Sequence, residues 1–179
     1  MAVVSALTLS RIPFALIFAV SYLCLHSAFS RMATGLIILV FIETSDIVDG
    51  WLARRWRVVT EWGSAMDPYA DSVSRLLVFW TLAVAGMALP IVPLVMAVRD
   101  VTVAYCRIVM ARNRTTVAAR LSGKAKAVIQ GTAAFLLVGS PIYQKFTGSW
   151  TNSAVSWFVI VITVVSAADY IRAARSSVR

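Results

Sequence analysis

Residues 33–57 read Ala33-Thr34-Gly35-Leu36-Ile37-Ile38-Leu39-Val40-Phe41-Ile42-Glu43-Thr44-Ser45-Asp46-Ile47-Val48-Asp49-Gly50-Trp51-Leu52-Ala53-Arg54-Arg55-Trp56-Arg57. An apolar run passes into a stretch that carries two aspartates and then closes on three arginines. A helix that crosses a bilayer needs about 20 mainly apolar residues, and residues 33–53 meet that requirement. The same pattern recurs along the chain, at about 8–28, 64–88, 91–112, 122–143 and 150–171. Ser30-Arg31, the Arg54 to Arg57 cluster, Gly86 to Pro90, Arg112-Asn113-Arg114 and Thr147-Gly148 separate the runs with charge or turn residues. The expected architecture is all-α, an integral membrane bundle of six transmembrane helices forming a single domain over residues 1–179.

Composition points the same way. Of 179 residues 60% are hydrophobic and 14% charged, against roughly a quarter charged in soluble domains. The net charge of +9, from 17 Lys and Arg against 8 acids, would suggest nucleic acid in a soluble chain. Here the basic residues lie between apolar runs, which fits membrane topology and anionic substrates instead, and no nucleic-acid partner is expected. Cys24 and Cys106 lie in apolar stretches and read as small buried hydrophobes, not a disulfide framework. The N-terminus has no basic segment before its first apolar run, so no cleaved signal peptide is expected.

Arg54, Arg55 and Arg57 follow the second run. Arg112, Arg114, Arg120, Lys124 and Lys126 lie between the fourth and fifth, and Arg172, Arg175 and Arg179 form the tail. The opposite side has only Arg31 and Lys145. By the positive-inside rule both termini and these basic loops are cytoplasmic, in a multi-pass protein of a bacterial-type inner cell membrane.

Asp46, Asp49, Gly50 and Ala53 share one helical face, and Asp67 and Asp71, four apart, share a face on the next helix. An antiparallel pair joined by the basic loop can bring both faces together. Each ionised Asp near hydrocarbon costs at least ~2.5–3.5 kcal/mol, and neighbouring carboxylates raise one another's pKa. Divalent cations relieve both penalties. An all-oxygen donor set suits Mg²⁺ or Mn²⁺ and argues against thiolate zinc, and two such ions could polarise a diphosphate. Gly50 and Ala53 leave room for a ligand on the acidic face, Gly63 relieves the start of the next helix, and Arg54 can offer a planar fork to phosphate. Arginine pairing and close helix packing are the plainer explanation of these residues, but four of only eight acids converge here.

The segment resembles the signature of the CDP-alcohol phosphatidyltransferase family: Asp, two residues, Asp-Gly, two residues, Ala-Arg, eight residues, Gly, three residues, Asp, three residues, Asp. Asp46, Asp49, Gly50, Ala53, Arg54, Gly63, Asp67 and Asp71 match its fixed positions and spacings, and six spans resemble the family's transmembrane core. The resemblance implies an acceptor alcohol attacking the lipid-linked phosphate of CDP-diacylglycerol, with release of CMP. It implies Asp46, Asp49, Asp67 and Asp71 as ligands of two divalent ions, Asp71 as general base, and Gly50, Ala53, Arg54 and Gly63 around the cytidine diphosphate. It also implies a homodimer in the lipid bilayer.

Ser122-Gly123-Lys124-Ala125-Lys126-Ala127-Val128-Ile129-Gln130 and Thr8-Leu9-Ser10-Arg11 are similar to segments of the phosphatidylglycerophosphate-forming subgroup. Ala127 stands where that subgroup commonly has Thr, and Ser5 where it has Asn. Lys124 and Lys126 at a helix start form a reasonable anion site, so Arg107, Lys124, Lys126 and Arg11 are the acceptor candidates, with glycerol 3-phosphate the expected acceptor. A basic patch on anionic lipid, or snorkelling of Arg107, is the plainer reading. Arg75 is expected to pair with Asp71, and Asp100 with Arg99. His26 is assigned no catalysis, and the Trp and Tyr residues are expected to be interface anchors and lipid-facing bulk. Inositol phosphate or serine as acceptor stays open. An aromatic prenyltransferase is disfavoured because its acids are spaced differently. A non-catalytic cation carrier is disfavoured by small residues on the acidic face and by the basic cytoplasmic ring.

Overall fold

The computed structural model describes residues 2–56, 61–113, 121–148 and 150–178. They form six helices: α1 Ala2–Cys24, α2 Ala28–Trp56, α3 Glu61–Val84, α4 Ile91–Arg112, α5 Leu121–Thr147 and α6 Trp150–Val178. A helix covers each of the six expected runs. Several run beyond the apolar segments: α2 continues through the aspartates to Trp56, and α6 to Val178. A helix satisfies its own backbone whatever its solvent, so it does not stop where hydrophobicity does.

What stops the helices is turn chemistry. Gly86 adopts φ 72°. Met87 N–H donates to the Leu82 carbonyl at 2.8 Å and Gly86 N–H to the Ala83 carbonyl at 3.1 Å, a Schellman cap that ends α3 short of the expected residue 88. Gly148, φ 76°, donates to the Gln144 carbonyl at 2.9 Å and closes α5 with a single left-handed cap.

Side-chain pairs give the helix directions. Phe14 stacks on Phe41 at 6.1 Å, and a Cβ on Gly35 would touch Tyr22, so α1 and α2 are antiparallel. Gln130 donates to Thr163 and Asn152 to Ser140, making α5 and α6 antiparallel. Leu89 with Ser156, Arg99 with Ser166, and Arg107 with Tyr170 advance together, so α4 and α6 are parallel. This is the up-and-down order that short connections favour.

A continuous apolar core runs between the helices through Phe18, Leu39, Phe79, Leu82, Met96, Leu137 and Val159. Outward-facing side chains are also apolar: Val20, Phe29, Ile37, Phe41, Trp80, Leu94, Val128 and Phe158 are all exposed. An apolar exterior over an apolar core is the surface of a protein solvated by lipid. By length and composition alone, Ala28–Ser45, Ala125–Thr147 and Trp150–Ser176 are apolar enough to cross a membrane, and Leu9–Cys24 is a shorter apolar helix. The helices α3 and α4 contain Asp67, Asp71, Arg75, Arg99, Asp100 and Arg107, and these charges build the site.

Two expectations need correction. Cys24 is exposed, not buried, although both cysteines are free. Tyr170 is 2% exposed and is not an interface anchor. Among the described residues, α2 and α3 each pack on α1. The space between them is crossed by side chains.

Candidate active site

Asp67 and Asp71 lie one turn apart on α3, Asp67 exposed and Asp71 partly buried. Asp46 and Asp49 lie on the last turns of α2. The side chains of Asp46, Asp49, Gly50, Ala53, Arg54, Gly63 and Lys124 fall outside the described residues. Arg75 Nε donates to Asp71 Oδ1 at 2.6 Å, the expected intrahelical pair. Sequence reasoning missed a second partner. Arg75 Nη1 reaches Glu43 Oε1 of α2 at 3.1 Å, and Nη2 reaches Oε2 at 3.4 Å. Glu43 lies one turn before Asp46, so the ion pair joins the acidic ends of α2 and α3. Only the spacing from Glu43 to Asp46 could have hinted at this.

The floor of the site comes from α5. A Cβ on Gly131 would lie 3.0 Å from Glu43 Oε1 and 3.3 Å from Arg75 Nη1, so an alanine there would push the pair by a few tenths of an ångström. Leu39, Ile42, Val78, Phe79 and Ala134 surround it and enclose only about 10 Å³ of space. The carboxylates thus open away from a tightly filled base.

The donor set fits a hard divalent ion. It is all-oxygen, and Asp71 already draws a guanidinium, which shows the demand for positive charge at this carboxylate. Among the described residues no three metal-binding side chains converge; the side chains of Asp46 and Asp49 are not among them.

Further basic groups lie on α4 and α5, with partners on α4 and α6. Asp100 Oδ1 accepts from Arg99 Nη1 at 2.8 Å, the expected pair, and also from Lys126 Nζ at 3.0 Å. Lys126 is 3% exposed and lies near enough to Asp71 to interact with it electrostatically. Arg99 Nη2 donates to Ser166 at 2.6 Å. Arg99 and Arg107 both lie over the Tyr170 ring, at 5.5 and 5.7 Å from its centroid, and Arg107 Nη2 meets the Tyr170 hydroxyl at 3.5 Å. Tyr170 therefore acts as a buried platform for two cations. A Cβ on Gly123 would lie 3.1 Å from that hydroxyl.

Of the acceptor candidates, Arg107 and Lys126 meet this cluster. Arg11 is 2% exposed on α1, the helix that packs against both α2 and α3. His26 is exposed in the α1–α2 connection, away from the site. A cavity of about 720 Å³ lies between the C-terminal ends of α4 and α6, lined by Cys106, Val109, Ile171, Arg172, Ala174, Arg175 and Ser176. Its volume is that of a small-molecule site, and the sequence had offered Arg172 and Arg175 only as topology signals.

The bundle thus carries carboxylates on α2 and α3 and buried cations on α1, α3, α4 and α5. Residues 1–168 match the CDP-alcohol phosphatidyltransferase family. The chain belongs to that family and is a phosphatidyltransferase of phospholipid synthesis. It is 34% identical to the CDP-diacylglycerol–glycerol-3-phosphate 3-phosphatidyltransferase of Bacillus subtilis, over 76% of this chain and 70% of that protein. It is 32% identical to the protein of the same name from Mycoplasma genitalium, over 78% of this chain and 56% of the relative. The Salmonella paratyphi A protein of that name is also 32% identical, over 94% of this chain and 92% of its own length.

Proposed function

We propose that the protein transfers the phosphatidyl group of CDP-diacylglycerol to the hydroxyl of glycerol 3-phosphate, releasing CMP. Asp71 carries this reading: it lies on the acidic face of α3, held by Arg75 and within electrostatic reach of Lys126. Asp46, Asp49, Asp67 and Asp71 would hold two divalent ions, Mg²⁺ or Mn²⁺. Bound ions would neutralise the diphosphate and stabilise the CMP leaving group. Gly50, Ala53 and Gly63 admit the cytidine diphosphate, and Arg54 takes its phosphate oxygens. Asp71 accepts the proton of the acceptor hydroxyl as that oxygen attacks the lipid-linked phosphorus. The phosphorus–oxygen bond to CMP then breaks.

The acceptor assignment draws on charge. Arg99 and Lys126 share Asp100 and Arg107 lies over the same Tyr170 ring as Arg99, a cationic setting that suits a phosphorylated alcohol better than serine. Arg107, Lys124 and Lys126 are its proposed holders, with Arg11 closing the α1 side. The site and both termini face the cytoplasm, and the enzyme works as a homodimer. Purified protein given CDP-diacylglycerol and a panel of labelled acceptors tests the whole reading. Phosphatidylglycerophosphate is the expected product, and EDTA should abolish its formation until Mg²⁺ or Mn²⁺ is restored. Turnover with serine or inositol phosphate but none with glycerol 3-phosphate would overturn the acceptor.

A further inference from the structure

The geometry points to Glu43 and Arg75 as a positioning pair that orients Asp71 toward divalent metal. The inference rests on the metal-ligand reading of the aspartates. Neither residue belongs to the aspartate motif, yet both are spent on it. Arg75 gives its Nε to Asp71 Oδ1 at 2.6 Å and turns its two terminal nitrogens to Glu43, at 3.1 and 3.4 Å. A carboxylate held through one oxygen cannot rotate freely about its Cβ–Cγ bond, and its other oxygen is the one a metal would take. Groups that hydrogen-bond to a ligating side chain fix its orientation in this way.

Glu43 makes the arrangement compatible with a metal. An arginine alone beside a dication would repel it and would draw Asp71 into a private ion pair. Glu43 cancels that charge, so the pair supplies orientation and no net charge. The Arg75 side chain is 9% exposed, so its alignment is set by protein and not by water. Gly131 bounds the third side, and a Cβ there would press on Glu43 Oε1 and Arg75 Nη1 at 3.0 and 3.3 Å.

The test is Mn²⁺ titration of the purified full-length protein in detergent, read by electron paramagnetic resonance. The charge-neutral double variant Glu43→Gln/Arg75→Gln should bind Mn²⁺ about 10–100-fold more weakly than the wild type. Raised Mn²⁺ should recover its transferase activity, which a general folding defect would not allow. Gly131→Ala should weaken Mn²⁺ binding several-fold with all charges intact. Gly139→Ala, on the same helix with nothing within 4 Å of its new Cβ, should bind as the wild type does. A double variant that binds Mn²⁺ as tightly as the wild type overturns the proposal. Should that variant fail to fold, Gly131→Ala decides, and unchanged affinity there overturns it equally. A wild type that binds no Mn²⁺ would instead sink the metal reading itself.

Discussion

Replacing Asp100 with Asn removes a single charge from the most buried ionic cluster described. Asp100 Oδ1 accepts from Arg99 at 2.8 Å and from Lys126 at 3.0 Å, and both cations are at least nine-tenths buried. Each hydrogen bond to a charged group is worth about 1.5–3 kcal/mol. Breaking a buried pair from one side costs about 3–5 kcal/mol, because the partner's charge is stranded. Asn keeps an acceptor oxygen and the shape of the side chain, and its amide nitrogen takes the place of Oδ2, which has no hydrogen-bond partner. The variant therefore reports on charge more than on packing. A loss of about 3–5 kcal/mol corresponds to a fall of roughly 6–20 °C in melting temperature for a chain of this size. Thermal unfolding followed by circular dichroism in a mild detergent measures it. The double variant Asp100→Asn/Lys126→Met strands only Arg99, which keeps Ser166 at 2.6 Å, and should regain at least half of the loss. If Asp100→Asn melts within about 1 °C of the wild type, or if the double variant melts no higher than the single one, the cluster is not the coupled ionic unit described.

Three further outcomes are expected. Asp71→Asn should lower CMP release from CDP-diacylglycerol by at least about 100-fold through loss of the base, and undiminished release would reject that role. Gly35→Leu should destabilise the bundle by about 1–3 kcal/mol through overpacking, because even a Cβ there lies 3.0 Å from Val138 and 3.1 Å from Tyr22; an unchanged melting curve would show that α1, α2 and α5 are not in close register. In a background lacking Cys24 and Cys106, cysteine at His26 should react with a membrane-impermeant maleimide on intact cells, and cysteine at Asn113 only after permeabilisation; the reverse pattern would invert the proposed topology.

The number of helices, their order and the aspartate spacing were legible in the chain. Each is a local property, read from apolar runs of spanning length and from a fixed rotation per residue that puts Asp67 and Asp71 on one face. Arg75 with Asp71 and Arg99 with Asp100 were legible for the same reason, since four residues and one residue separate the partners. The caps at Gly86 and Gly148 were visible as turn residues, but where they stop a helix depends on backbone hydrogen bonds that hydropathy does not report. What the sequence could not disclose is the set of partners drawn from other helices. Glu43 meets Arg75 across 32 residues, Lys126 meets Asp100 across 26, and Ser166 meets Arg99 across 67. Tyr170, one aromatic among many in the sequence, becomes a platform for two arginines only because α6 runs parallel to α4. The chain alone determined which face of each helix carries charge; packing on α1 and α5 decided which charged faces meet, because helix rotation and separation are set by side-chain contacts that no local spacing encodes.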